Sequence, residues 1–180
     1  MEKNINKYEA LEKFHYFKNE YCEPQLTPID KPEIKALSDD YCATLWTEYV
    51  SENKKHLMLI NHPEEWKIKN EVKKEYNWQN DWNESDIEAF DKNVKNLMDW
   101  KEDDSVIFFW NKSSGIETKW RLICKYWISL LYEDEANIII NPKSKKVIIL
   151  STNGNLSIAD RLKIWISKPY YQKTNLILKL

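Results

Sequence analysis

Apolar and polar positions divide the chain into segments with different periods. After Ser38, apolar residues fall at Tyr41, Cys42, Leu45, Trp46, Tyr49 and Val50, the spacing of one helix face. Ser38 suits the N-cap, and Asp39 and Asp40 suit the positive end of the helix dipole. Residues 57–60, Leu-Met-Leu-Ile, make a short apolar run that suits a strand. Residues 62–84 are polar, with Trp66, Trp78 and Trp82 set in them at no clean period, and read as irregular. Ser85 and Glu88 have capping-box spacing ahead of Ile87, Phe90, Val94, Leu97 and Met98, which predicts a second helix.

Ser105-Val-Ile-Phe-Phe-Trp110 carries the strongest strand signal. Ser114 and Glu117 repeat the capping box. Ile116, Trp120, Ile123, Cys124, Trp127, Leu130 and Leu131 then follow at helical intervals. Residues 137–141 and 146–151 read as paired strands joined by Pro142-Lys143-Ser144-Lys145, and Thr152-Asn153-Gly154-Asn155 is a second turn. Ser157 is placed to cap a last helix carrying Ile158, Leu162, Trp165 and Ile166. Pro169 stops it, and residues 175–180 suit a closing strand. At the other end, Tyr8, Leu11, Phe14 and Phe17 suggest a helix face, and Pro24, Pro28 and Pro32 mark an extended linker.

These elements predict an α+β fold in a single domain, residues 1–180. Its mostly antiparallel sheet is built mainly from the C-terminal half and packed by amphipathic helices. Residues 1–37 are the N-terminal helix and linker, 38–155 the central part, and 156–180 the last helix and strand.

Composition narrows the function. The 180 residues hold only two glycines, Gly115 and Gly154, so neither a Gly-x-Gly-x-x-Gly turn nor a P-loop can be written. No run approaches a membrane span, and the first residues lack the apolar core of a signal peptide. Cys22, Cys42 and Cys124 are odd in number and far apart, which fits a reducing compartment. A cytoplasmic protein without a membrane partner is expected. Net charge is −2, but residues 1–100 (14 Lys, 21 acids) carry −7 and residues 101–180 (13 bases, 8 acids) carry +5. Arginine, the preferred side chain for bidentate phosphate and guanine contacts, occurs only at Arg121 and Arg161, so a nucleic-acid partner is not favoured.

The block from Phe108-Phe109-Trp110 through Ile116-Glu117-Thr118-Lys119-Trp120, Trp127 and Glu133-Asp134-Glu135 to Asn153-Gly154 has a recognisable pattern. Ile34-Lys35-Ala36-Leu37-Ser38 and Leu45-Trp46 precede it. The pattern resembles a bacterial family of small proteins known only as a domain of unknown function, best represented in gammaproteobacteria, over residues 15–155 or so. That resemblance supplies no catalytic residues. In character, small size and tryptophan content, the chain is similar to bacterial toxin-immunity proteins.

The side chains offer few chemical sites. His15, His56, His62 and the cysteines lack the paired spacing of a zinc site, so neither metal nor cofactor is expected. Cys124 lies on an apolar helix face between Ile123 and Trp127 and reads as core. Asp103-Asp104, Glu133-Asp134-Glu135 and Asp81 with Glu84 are acid/base candidates, though acidic runs at element ends usually serve as caps. No catalytic residue is assigned.

The nine tryptophans are more telling. Trp46, Trp120, Trp127 and Trp165 sit on helix faces, whereas Trp66, Trp78, Trp82 and Trp100 sit in polar sequence. Tryptophan is enriched at interface hot spots. The expectation is therefore a non-catalytic protein-binding module, an immunity-type inhibitor of a cognate toxin. Its candidate surface is Trp78, Asp81, Trp82, Glu84, Trp100, Asp103 and Asp104. The alternatives are an enzyme using carboxylates with His56 or His62, and a lysine-based nucleic-acid binder using residues 112–146.

Overall fold

A strand can bury both sides of its pleat only where layers cover both faces of its sheet. Val106 to Trp110 are five consecutive buried residues in such a strand. The computed structural model describes residues 6–18, 20–60, 65–68, 74–132 and 136–162. Its elements in chain order are β1 (Tyr8–Glu9), β2 (Lys35–Leu37), α1 (Asp39–Tyr49), β3 (Lys74–Asn77), α2 (Gln79–Asn83), α3 (Ala89–Asn93), β4 (Ser105–Asn111), β5 (Ser114–Lys119), α4 (Trp120–Leu130), β6 (Asn137–Ile140), β7 (Lys146–Leu150) and β8 (Asn155–Asp160).

The strands form one antiparallel sheet in the order β1-β2-β5-β4-β6-β7-β8-β3. Val106, Phe108, Trp110, Ile139 and Ile148 pack with α3, α4 and the N-terminal turns. Ile107, Phe109, Ile138, Ile140 and Val147 pack with α1 on the opposite face. Adjacent residues thus serve different cores. The fold is the expected single-domain α+β type, with five of the eight strands after residue 100.

Several elements follow the sequence pattern. Ser38 caps α1, its Oγ accepting the Tyr41 N–H at 3.3 Å. On α4, Trp120, Ile123, Cys124, Trp127 and Leu130 are buried, as is Leu131 just beyond. β6 and β7 pair from Asn137↔Leu150 to Ile140↔Val147.

Other elements differ. Ser114 and Glu117 do not cap α4; both lie in β5, paired along β4. The first amides of α4 bond instead to backbone of the preceding loop, Trp120 N–H to Asp104 O and Arg121 N–H to Glu102 O, both at 3.0 Å. Ser85 has φ of +53°, a left-handed conformation that cannot start a helix, and α3 begins only at Ala89. Ser157 lies inside β8 rather than capping a helix, because Ile158 and Ala159 each fill one of the two cores. Residues 8–17 form a strand and two 3₁₀ turns that bury Leu11, Phe14 and Phe17, since β1 is drawn to the sheet edge beside β2. Leu57–Leu59 is a 3₁₀ turn with only Leu57 buried. Ordered β3 and α2 occupy part of the stretch expected to be irregular. Trp165, Pro169 and the closing strand lie outside the described residues. Among the described residues no helix is long and apolar enough to cross a membrane.

Candidate functional site

Helix α4, which bends at the non-helical Tyr126, divides the seven candidate residues into two groups at its two ends. At the N-terminal end stand Trp100, Asp103 and Asp104. Trp100 is buried, edge-on to Trp120 with ring centroids 5.0 Å apart. Its indole is therefore core and offers nothing to a partner. Asp104 accepts from Asn141 Nδ2 at 3.1 Å and from the Lys101 N–H at 3.0 Å. Asp103 is exposed and faces Arg121 Nε at 3.3 Å. This acidic run serves to anchor the start of α4.

Arg121 continues into a second network. Its guanidinium also meets Glu33 and Asp30, and Asp30 Oδ2 accepts from Lys125 Nζ at 2.7 Å, Tyr126 OH at 2.8 Å and Thr27 Oγ1 at 2.8 Å. Burial pushes the Asp30 carboxyl up, but hydrogen bonds from Lys125, Tyr126 and Thr27 outweigh it and hold the group at about 2. These bonds fasten the proline-containing segment onto α4.

At the C-terminal end stand Trp78, Asp81, Trp82 and Glu84. The Trp78 backbone N–H donates to Gly154 O at 2.8 Å, turning the chain off β3 into α2. Gly154 has φ of +81°, and a Cβ there would lie 2.7 Å from Gln79 Cβ. The half-buried Trp82 donates its indole N–H to Ile128 O at 3.0 Å and lies edge-on to Tyr132, which is 53% exposed. Asp81 accepts from Tyr76 OH, which Asn93 Nδ2 also approaches at 3.2 Å. Burial first, and then the Asp81 hydrogen bond, push the Tyr76 phenol up to about 12. Glu84 is exposed. Among the described residues, Asp81, Glu84 and Asp86 make no ion pair, whereas Glu88 and Asp91 pair with Lys92 and Lys95.

This end of α4 gathers three residues that the sequence did not single out: Tyr76, Tyr132 and Asn137. Tyr132 extends the apolar stripe of α4 by one residue too many for the core. Asn137 opens β6 on the face of α4, since Ile138 faces α1 and Ile139 faces α4. Asn137 Oδ1 and Trp78 Nε1 are buried and, among the described residues, have no hydrogen-bond partner.

The remaining candidates are used within the fold. Cys22, Cys42 and Cys124 are buried, and burial pushes each thiol up, Cys42 to about 12, so none is a thiolate nucleophile at neutral pH. Lys112 Nζ bonds to Glu52 O and Lys119 Nζ to Asp103 O, at 2.9 and 3.0 Å. The basic residues of 112–146 thus spread over several elements. His62 and Glu133-Asp134-Glu135 lie outside the described residues. Among the described residues no three His, Cys, Asp or Glu gather as a metal ion requires.

Comparison with known proteins gives a family. The model of a family described as protein of unknown function (DUF2947) matches residues 8–159, so the chain belongs to it. No curated protein and no solved structure matches.

Proposed function

We propose that this member of the DUF2947 family is a non-catalytic protein-binding module, an immunity-type inhibitor that neutralises a basic bacterial toxin in the cytoplasm. The observation that carries this reading is the surface at the C-terminal end of α4. There the Trp82–Tyr132 pair, partly exposed, stands beside Asp81, Glu84 and Asp86, acids that make no ion pair among the described residues. Of the five acids in residues 81–91, Glu88 and Asp91 are neutralised by Lys92 and Lys95, which leaves these three to set the charge of the surface. Such a surface speeds encounter with a basic protein through long-range attraction. An aromatic anchor at its centre slows release, because most of the binding energy of an interface resides in a few such residues.

The test is co-expression with the product of the adjacent gene, followed by affinity capture and a growth assay. The chain is expected to capture that product and restore growth. Trp82→Ala and Glu84→Lys are expected to lose both effects while remaining folded. Full protection by both variants, or no specific capture by the native chain, removes the proposal.

A further inference from the structure

We propose that the C-terminal end of α4 is a socket for one cationic side chain, a Lys ammonium or Arg guanidinium of the partner, with Asn137 Oδ1 as its buried acceptor. The inference rests on the protein-binding reading above and names the chemistry that its surface selects.

Four independent features favour positive charge at this place. The first is Asn137. It is 2% exposed, and its Oδ1 has no partner among the described residues. A buried acceptor left unpaired is uncommon and calls for a ligand, a water or an ion. Asn137, Leu150, Leu156 and Tyr76 are successive register partners across β6, β7, β8 and β3, so they form one row on the α4 face. The α2 turn follows directly from the end of that row.

The second is the helix itself. The last carbonyls of α4, in the turn beyond its bend at Tyr126, carry partial negative charge. Two of them, Ile128 O and Leu130 O, are turned toward this end of the sheet, where they accept the indole N–H groups of Trp82 and Trp110 at 3.0 and 2.9 Å. The third is aromatic: Trp82 and the exposed Tyr132 lie edge-on with centroids 6.0 Å apart, and aromatic rings attract cations. The fourth is the acidic rim of Asp81, Glu84 and Asp86. No Lys or Arg occurs in residues 76–91, 126–132 or 136–142, and the neighbouring Lys92 of α3 is paired with Glu88. The unpartnered Trp78 Nε1 is a donor, and it suits a carbonyl beside the entering side chain.

The probe is a blocked Gly-Arg-Gly peptide, titrated into the full chain and read by the indole N–H resonances of Trp78 and Trp82. The control is the same peptide with citrulline, which keeps the shape of arginine and removes its charge. The arginine peptide is expected to shift both resonances and to bind at least tenfold more tightly than the citrulline peptide. Asn137→Leu, which removes the acceptor from an apolar row, is expected to weaken arginine-peptide binding at least tenfold. Absence of shifts, or equal binding of the two peptides by the native chain, overturns the socket without reference to any variant. Equal affinity in a folded Asn137→Leu chain overturns the role of Asn137. Because no toxin enters the experiment, a chain that binds the arginine peptide yet protects no cell loses the proposed function and keeps the socket.

Discussion

Asp30 shows how a charged group is kept inside this fold. Its carboxylate is 5% exposed and is satisfied by Lys125, Tyr126, Thr27 and Arg121. The folded value near 2 lies below the ordinary 3.8, so the stabilisation is present above the ordinary value and disappears as pH falls through 2. The shift corresponds to roughly 2–3 kcal/mol. Chemical denaturation between pH 5 and 2 should therefore show the native chain losing about that much more stability than Asp30→Asn; parallel curves would refute it. Trp82 argues differently. Its ring is only half-buried, but its N–H holds the end of α4. Trp82→Phe should keep most of the stability and lose the bond to Ile128 O, about 1 kcal/mol by thermal melting. A loss above about 3 kcal/mol would make it a core residue.

At the scale of elements, the sequence reading succeeded where one period dominates. α1, and α4 from Trp120 onward, have helical stripes, although Ile116, read as the first residue of the second stripe, lies in β5; the β6–β7 hairpin has two apolar runs around a Pro-Lys-Ser-Lys turn. It failed where local signals were true but overruled. Ile158 and Leu162 are four apart, a separation that shares a face in both a helix and a strand, so the spacing alone could not place β8. Ser114-x-x-Glu117 has the letters of a capping box, yet the pairing of β5 with β4 and β2 claims those residues first. Gly115 is the trace of that pairing: a Cβ there would lie 2.8 Å from Phe108 O and 3.1 Å from Cys42 Sγ, between the sheet and α1. Gly115→Ala should destabilise the chain by about 1–3 kcal/mol in urea, as overpacking against backbone does. Gly154→Ala should strain the φ of +81° and crowd Gln79, weakening the α2 surface more than the core. A loss of partner affinity with little change in the denaturation midpoint would show this.

For the whole molecule, the charge asymmetry legible at the outset acquires a location. The acidic first hundred residues supply β3, α2 and α3; Asp81, Glu84 and Asp86 of the α2 turn stand toward the end of α4, whereas Glu88 and Asp91 lie with Arg121 and Lys125 along its first half. What was not legible is which tryptophans face outward. Trp100 sits in sequence as polar as that around Trp82, but the one packs against Trp120 and the other against an exposed tyrosine. Only the path of α4 decides between them. If the unpaired acids at this end steer a basic partner, their effect must appear in the rate of encounter rather than in the lifetime of the complex. Stopped-flow association should slow at least tenfold between about 20 and 500 mM salt, as screening shortens the reach of the field. Glu84→Lys combined with Asp86→Asn should flatten that dependence. The amide introduced at position 86 retains an oxygen to accept the Glu88 N–H, which the native carboxylate accepts at 3.1 Å, so the surface changes charge without losing its turn. Trp82→Ala should act on the other rate, raising dissociation with little change in the salt slope. A salt slope unchanged by the double substitution would place the steering charges elsewhere on the molecule.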